Sequence, residues 1–280
     1  MPDTVNALPK LISVRTLPAL RSEISRLKSK GLTICFVPTM GALHDGHLAL
    51  VRHAKTLCDK VVVSIFVNPL QFAPTEDLDR YPRNEAGDLD LLQSVGCDLV
   101  YLPTVDVLYP EHFFSRIEMS GPALGLETDF RPQFFSGVAT VVSKLFNQVR
   151  PEVAVFGEKD YQQLAVIRAM VRDFDMGIDV VGYPTIREAD GLALSSRNAY
   201  LSLAERSLAP RLHQVLEAIR DGGLTIDQAK SELSTAGFGK IDYVALRDAE
   251  TLGDPGADKP KRLLAALWLG KTRLIDNIAA

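Results

Sequence analysis

The sequence predicts an α/β protein: a doubly wound, Rossmann-like parallel sheet followed by a smaller α+β unit. Three observations carry this expectation. Short apolar runs of strand length recur through the first two-thirds of the chain, amphipathic stretches of helical period lie between them, and the pattern changes character near Thr185. Strands separated by helices imply right-handed crossovers, hence parallel strands with helices on both faces and ligand sites at the carboxyl ends of the strands.

The buried-strand runs are Thr33–Val37, Val61–Val67, Leu99–Leu102, Val153–Phe156 and Ile178–Val181. After the first, Leu48, Val51, Ala54 and Leu57 repeat at helical spacing, with Asp45 expected as the N-cap. Val138–Val149 and Tyr161–Phe174 continue the helical pattern. Two segments interrupt the alternation: Asn68–Asn84, rich in proline and acidic residues, and Ser120–Gly137, rich in Gly, Pro and Phe. Both read as long loops, and loops of that length in a compact domain are usually either functional or disordered. Beyond Thr185 the sequence predicts helices near Leu203–Arg220 and Ile226–Thr235, then strands Ile241–Leu246, Leu263–Trp268 and Arg273–Ile275. The expected units are therefore 1–185 and 186–280.

Composition narrows the function classes. The chain has 280 residues, of which 46% are hydrophobic and 24% charged, the balance of a globular protein. A formal net charge of −4 supplies no basic field for nucleic acid or an acidic membrane surface. The Met1 end, MPDTVNALPKLISV, lacks a basic stretch followed by an apolar run, so no signal peptide is expected. No apolar stretch approaches the roughly 20 residues of a membrane helix. Cys35, Cys58 and Cys97 are widely spaced and odd in number, which fits reduced structural thiols and a cytoplasmic location.

The strongest chemical signal is PTMGALHDGH, Pro38 to His47, running from the end of a strand into a helix start. Gly41 and Gly46 permit close backbone approach to a ligand, and a helix start presents free N–H groups and a positive dipole end. His44 and His47 bracket that start as donors for one anion, an arrangement able to stabilise charge on a phosphate and a departing pyrophosphate. The alternatives are a cap with a surface histidine, or half of a zinc site that would need two more ligands. FGEKD, directly after the run Val153–Phe156, occupies the same kind of position. Read alone, Lys159-Asp160 is equally a surface ion pair, Gln71 an ordinary loop glutamine and Gln163 a solvated helix residue. Glu76–Asp79 reads as a solvated flap and Asp88 as a helix-surface aspartate.

His-x-Gly-His after the first core strand resembles the signature of the nucleotidyltransferase superfamily that includes class I aminoacyl-tRNA synthetases, and Leu194-Ser195-Ser196-Arg197 resembles its late KMSKS-type loop. The ordered set PTMGALHDGH, SIFVNPLQF, YPR, FSGVATVVSKLFN, FGEKDYQQL and READGLALSSRN is similar to the pantothenate synthetase family from about Ile34 to Leu201, and more weakly through DYVALRDAETL. The resemblance implies ATP-dependent joining of pantoate and β-alanine through a pantoyl adenylate, with Mg²⁺, a C-terminal lid domain and a homodimer. It implies an ATP site of Met40, Gly41, His44, His47, Gly157, Glu158, Lys159, Asp160, Ile186, Leu194, Ser195, Ser196 and Arg197. Of these, His44, His47, Lys159 and Arg197 would carry catalysis. Gln71, Gln163 and Asn68 would hold pantoate, while the metal ligands are left open, Asp88 resembling a position linked to Mg²⁺. Ala73-Pro74 departs from the family pattern, where glycine is frequent after QF. Other readings are a different HxGH nucleotidyltransferase or a non-catalytic nucleotide-binding protein. A nicotinamide-dependent dehydrogenase is disfavoured because no G-x-G-x-x-G follows the first strand.

Overall fold

The computed structural model describes residues 10–74 and 76–280, so residues 1–9, on which most of the leader reading rests, lie outside the described residues. Six strands form one parallel sheet: β1 (Ile12–Val14), β2 (Ile34–Thr39), β3 (Lys60–Ile65), β4 (Leu99–Tyr101), β5 (Val153–Gly157) and β6 (Asp179–Tyr183). Their order is β1-β4-β3-β2-β5-β6, every pair parallel. From β2 the chain builds outward through β3 and β4, then returns to the other side of β2 with β5 and β6. The strand order therefore reverses between β2 and β5, the switch point at which such sheets open a crevice.

Helices cover both faces. Against one lie α2 (Asp45–Leu57) and α3 (Glu85–Ser94), burying Leu50, Val51, Ala54 and Leu92 on Val61, Val63, Val100 and Val155. Against the other lie α1 (Leu17–Lys28), α6 (Phe134–Val149) and α7 (Tyr161–Asp173), burying Leu20, Ile24, Leu145, Leu164 and Ile167 on Phe36, Val62 and Ala154. Short helices α4 (Val105–Leu108) and α5 (Glu127–Phe130) sit in the connections. The second unit is an antiparallel meander, β7 (Ile241–Asp248), β8 (Lys261–Leu269) and β9 (Thr272–Ala279). With α8 (Leu203–Leu208), α9 (Arg211–Arg220) and α10 (Ile226–Ala236) it encloses its own apolar core around Leu216, Leu233 and Leu267. Among the described residues, no helix is long and apolar enough to cross a membrane.

Several expectations are corrected. β1 and α1 were not anticipated, although Thr16 as N-cap, Pro18 in the first turn and Leu20, Ile24 and Leu27 at helical spacing are a complete helix signal. The Ser120–Gly137 loop contains α5, and α6 starts at Phe134 rather than Val138. Leu203–Arg220 is two helices, because Pro210 has no N–H to continue the first. Asp45 does not cap α2; His44 does.

One contact ties α6 to the segment after β3. A methyl group on Gly137 would clash with the Leu70 carbonyl oxygen, a backbone atom rather than the end of a flexible side chain. The short 3₁₀ turn Pro69–Gln71 is thus seated directly on the helix. Gly137→Ala is expected to lower stability by roughly 2 kcal/mol through overpacking, read from urea unfolding midpoints; an unchanged midpoint would mean that the turn is free to move off the helix.

Candidate functional site

The carboxyl ends of β2, β5 and β6 open into a cleft of about 1080 Å³, closed on its far side by α9, β8 and β9. Met40, His44, His47, Asn68, Gln71, Gly157, Lys159, Asp160, Gln163, Ile186, Leu194, Ser195, Ser196 and Arg197 all line it. The structure thus brings together residues from four separate sequence motifs. Gly41 and Glu158 stand apart: Gly41 is buried toward Asp88 and Ile65, and the Glu158 carboxylate turns away to Arg262 at 3.1 Å.

The start of α2 is built from its two histidines. The His44 Nδ1 accepts from the Gly46 N–H at 3.1 Å, and the His47 Nδ1 accepts from the His44 N–H at 3.3 Å, a reciprocal capping box. An aspartate at position 45 cannot do this, because it already lies in the first helical turn. Gly46 is required for close approach, since a Cβ there would meet the His44 ring at 2.8 Å. With both Nδ1 atoms accepting, each neutral ring carries its proton on Nε2 and offers one donor. Burial, then the charge of Lys159, lowers the His44 imidazole from 6.5 to about 4. Burial, then His44 and Lys159, lowers His47 to about 3. The rings lie 4.1 Å apart and are neutral at physiological pH.

Asp88 holds the loop that leads into this helix. It is 3% exposed, and its carboxylate accepts from Leu43 N–H at 2.8 Å and Ala42 N–H at 3.0 Å. The helix-surface reading of Asp88 is overturned: the side chain faces inward and fixes a loop in which Ala42 has φ +49°. Burial raises its carboxyl above the usual 3.8, against the lowering effect of those two N–H groups.

The segment after β3 places the glutamine. Asn68 is buried, with Nδ2 donating to Gln71 Oε1 and the Gly137 carbonyl, both at 3.1 Å. Its Oδ1 accepts from Leu70 N–H at 3.2 Å and the Tyr109 hydroxyl at 2.8 Å. All four of its hydrogen-bonding positions are engaged within the chain, so Asn68 supports Gln71 from behind rather than presenting a free group. Gln71 Nε2 lies 3.1 Å from the Met40 sulfur.

The Glu76–Asp79 stretch is not a solvated flap. Glu76 makes a two-pronged pair with Arg131, at 2.6 and 2.7 Å, and Asp77 does the same with Arg197, at 3.2 and 3.0 Å. Burial alone would raise the Asp77 carboxyl, yet the Arg197 pairing holds it below 3.8. The Tyr81 hydroxyl lies 3.4 Å from Ser196 Oγ, and the Tyr200 hydroxyl donates to the Arg80 carbonyl at 3.2 Å. This segment is thereby strapped to the Ser195–Arg197 turn. Lys159 and Asp160 stand 3.8 Å apart, too far for a hydrogen bond. The sequence alone reads Asp77 and Asp88 as solvated acids and gives Tyr81 and Arg131 no role, because only tertiary contact gives them these partners.

The fold and the two turns meeting at its switch point, the first bearing His-x-Gly-His, define a doubly wound α/β protein with a ligand crevice at its strand ends. The family model described as Pantoate-beta-alanine ligase matches residues 12–279. Pantothenate synthetase of Mesorhizobium japonicum is 55% identical over 272 residues, spanning 95% of this chain and 96% of that protein. The crystal structure of pantothenate synthetase from Thermus thermophilus superposes with a TM-score of 0.87 at 46% identity, covering 95% of this chain and 98% of that one. A pantoate-beta-alanine ligase from Francisella tularensis, crystallised with β,γ-ATP and β-alanine, superposes with a TM-score of 0.85 at 35% identity, covering 96% and 97%. The chain belongs to the pantoate-beta-alanine ligase family.

Two outcomes are expected here. Asp88→Ala leaves two buried N–H groups unpaired and should destabilise by roughly 2 kcal/mol, with Asp88→Asn intermediate because one acceptor survives; equal urea midpoints for all three proteins would contradict the loop's dependence on Asp88. The histidines give the second outcome. An unfolded histidine titrates near 6.5, whereas the folded chain resists protonation of His44 down to about 4 and of His47 to about 3. Their contribution is therefore full above 6.5 and is lost as pH falls from 6.5 toward 4. Unfolding free energies at pH 7.5, 6 and 5 should fall in that order, and replacing both rings by glutamine should flatten the trend.

Proposed function

We propose that this protein joins pantoate and β-alanine to form pantothenate, using ATP and releasing AMP and pyrophosphate. The observation that carries the proposal is the convergence of the turns after β2 and β5 on one cleft, in a chain of this family. The pantoate carboxylate oxygen attacks the α-phosphorus of ATP; the bond to the β-phosphate oxygen breaks and pyrophosphate leaves. The β-alanine nitrogen then attacks the acyl carbon of the adenylate, AMP leaves as the better leaving group, and the amine proton passes to solvent.

No covalent nucleophile is needed. Cys35 and Cys97 are buried, and burial raises the thiols of all three cysteines above their ordinary value. Catalysis rests on placement and on charge stabilisation. The Nε2–H groups of His44 and His47, at the positive dipole end of α2, face the phosphates; as neutral donors they stabilise charge without competing for a proton. Lys159 and Arg197 supply cations, Ser195 and Ser196 supply donors, Leu194 to Arg197 close over the triphosphate, Ile186 bounds the adenine side, and Met40 and Gly157 line the ATP site. Gln71 and Gln163 receive pantoate, Asn68 keeping Gln71 in place, and the segment around Asp77 covers the adenylate from water.

The donor set fits a magnesium ion held mostly by phosphate oxygens. Asp160 is a half-exposed carboxylate on the cleft, and no group of three or more His, Cys, Asp or Glu suited to a dedicated cage occurs among the described residues. Asp160 would hold the ion, which would neutralise triphosphate charge. Division of labour near Thr185, with residues 186–280 acting as a lid over residues 1–185, assembly as a homodimer and a cytoplasmic location belong to the same reading; the family resemblance supports them.

Exchange of labelled pyrophosphate into MgATP, without β-alanine, should require pantoate. His47→Ala should lower that exchange by roughly 100-fold or more while the protein stays folded. A folded, ATP-binding protein with no pantoate-dependent exchange would overturn the adenylation route, and near-normal exchange in the variant would remove His47 from it.

A further inference from the structure

The turn that carries Lys159 is held by the opposite end of the chain. Asn277, on β9, is 3% exposed, and its Nδ2 donates to the Glu158 carbonyl at 2.9 Å and the Lys159 carbonyl at 2.8 Å. These two carbonyls belong to the peptide planes on either side of the Lys159 Cα. Fixing both planes fixes the direction of the Cα–Cβ bond, since a residue has only two soft backbone dihedrals. Only the side-chain torsions of Lys159 are then left to vary.

The donor is itself locked. Arg262 Nε donates to Asn277 Oδ1 at 2.7 Å, which orients the amide with Nδ2 toward the turn. The same guanidinium pairs with the Glu158 carboxylate at 3.1 Å and stacks on the Tyr161 ring at 4.1 Å. The preceding residue performs a parallel task on the other wall of the cleft. Asp276, 4% exposed, binds Arg187 through both oxygens at 2.7 and 2.8 Å, and Arg187 also donates to the Asn277 carbonyl at 3.3 Å. Arg187 stands at the base of the hairpin that leads to Ser195–Arg197, bridged to Ala193.

We propose that Asn277 is a positioning residue for Lys159, acting through the two carbonyls of the Glu158–Asp160 turn and touching no substrate itself. The proposal rests on the reading of Lys159 as a phosphate-binding cation. An apolar residue at 277 would leave both carbonyls without their donor and let the turn relax, so Lys159 would meet the triphosphate from a spread of directions. A general structural role for Asn277 would weaken the cleft with or without Lys159; a positioning role would act only when Lys159 is present.

A double-mutant cycle separates the two. MgATP affinity is measured by calorimetry, without pantoate or β-alanine, for the native protein, Asn277→Ala, Lys159→Ala and the double variant. Asn277→Ala is expected to weaken MgATP by about tenfold in the native background, the scale of one or two net hydrogen bonds. It should change affinity by less than about twofold once Lys159 is alanine, and the KM for β-alanine should stay constant. Equal losses in both backgrounds, or no loss in the native one, would overturn the positioning role. If Lys159→Ala alone leaves MgATP affinity unchanged, the phosphate role of Lys159 fails and the proposal falls with it, a result distinct from additivity. Should Asn277→Ala fail to fold, Asn277→Asp replaces it in the same cycle: it is isosteric, keeps the Arg262 pairing and sets an acceptor against the two carbonyls.

Discussion

The chain leaves β2 and β5, two adjacent parallel strands, toward opposite faces of the sheet. After β2 it enters α2, which packs against Val61, Val63 and Val155; after β5 it enters α7, which packs against Phe36, Val62 and Ala154. Two helices that diverge in this way cannot cover the gap between the strand ends they come from. Met40, His44, His47, Lys159, Asp160 and Arg197 stand at that gap or reach over it. The crevice is a consequence of strand order, and the residues around it decide only what it can hold.

A crevice of this kind is surrounded by loops, which lack the regular hydrogen bonding of helices and strands. Here the missing rigidity comes from buried polar side chains behind the loops. Asp88 takes up the N–H groups of Ala42 and Leu43, Asn68 braces Gln71 against α6, and Asn277 grips the Glu158–Asp160 turn. Asp88 and Asn277 come from different elements than the loops they hold, and Asn68 ties its own segment to α6, so the loops are set by tertiary structure. Such buried groups are costly when unsatisfied and rigidifying when complete. The small meander matters for the same reason: β9 supplies contacts to both walls of the cleft, and the smaller unit is part of how the larger one presents its residues.

Much of this was readable in the sequence, in a systematic way. Five of the six parallel strands, the parallel arrangement and the position of PTMGALHDGH follow from apolar periodicity and punctuation, which are local properties. That His44, Lys159 and Arg197 would share one cleft was also expected, His44 from its motif and the other two through the family resemblance. What stayed hidden was everything that depends on a partner distant in sequence. Asp88 looks like any helix aspartate until Ala42 and Leu43 are brought to it, and Asp77 like any loop acid until Arg197 arrives from 120 residues away. Gly41 and Glu158 show the converse, belonging to the motifs by sequence while facing away from the cleft. The capping of α2 was misassigned for a local reason: aspartate is the commoner cap, but here an imidazole nitrogen performs that task.

Because Arg197 already holds a carboxylate, a polyanion entering the cleft meets a competitor. A singly charged guest would exchange Asp77 for an equivalent and gain little. On the proposed function, a guest with several charges would engage Arg197 together with Lys159, and so would prevail in the exchange. By the same proposal, the Arg197–Asp77 pair would weigh guests by charge number, with no need to exclude small anions by shape. It also joins selection to motion, since the displaced Asp77 lies on the segment that Tyr81 straps to Ser196.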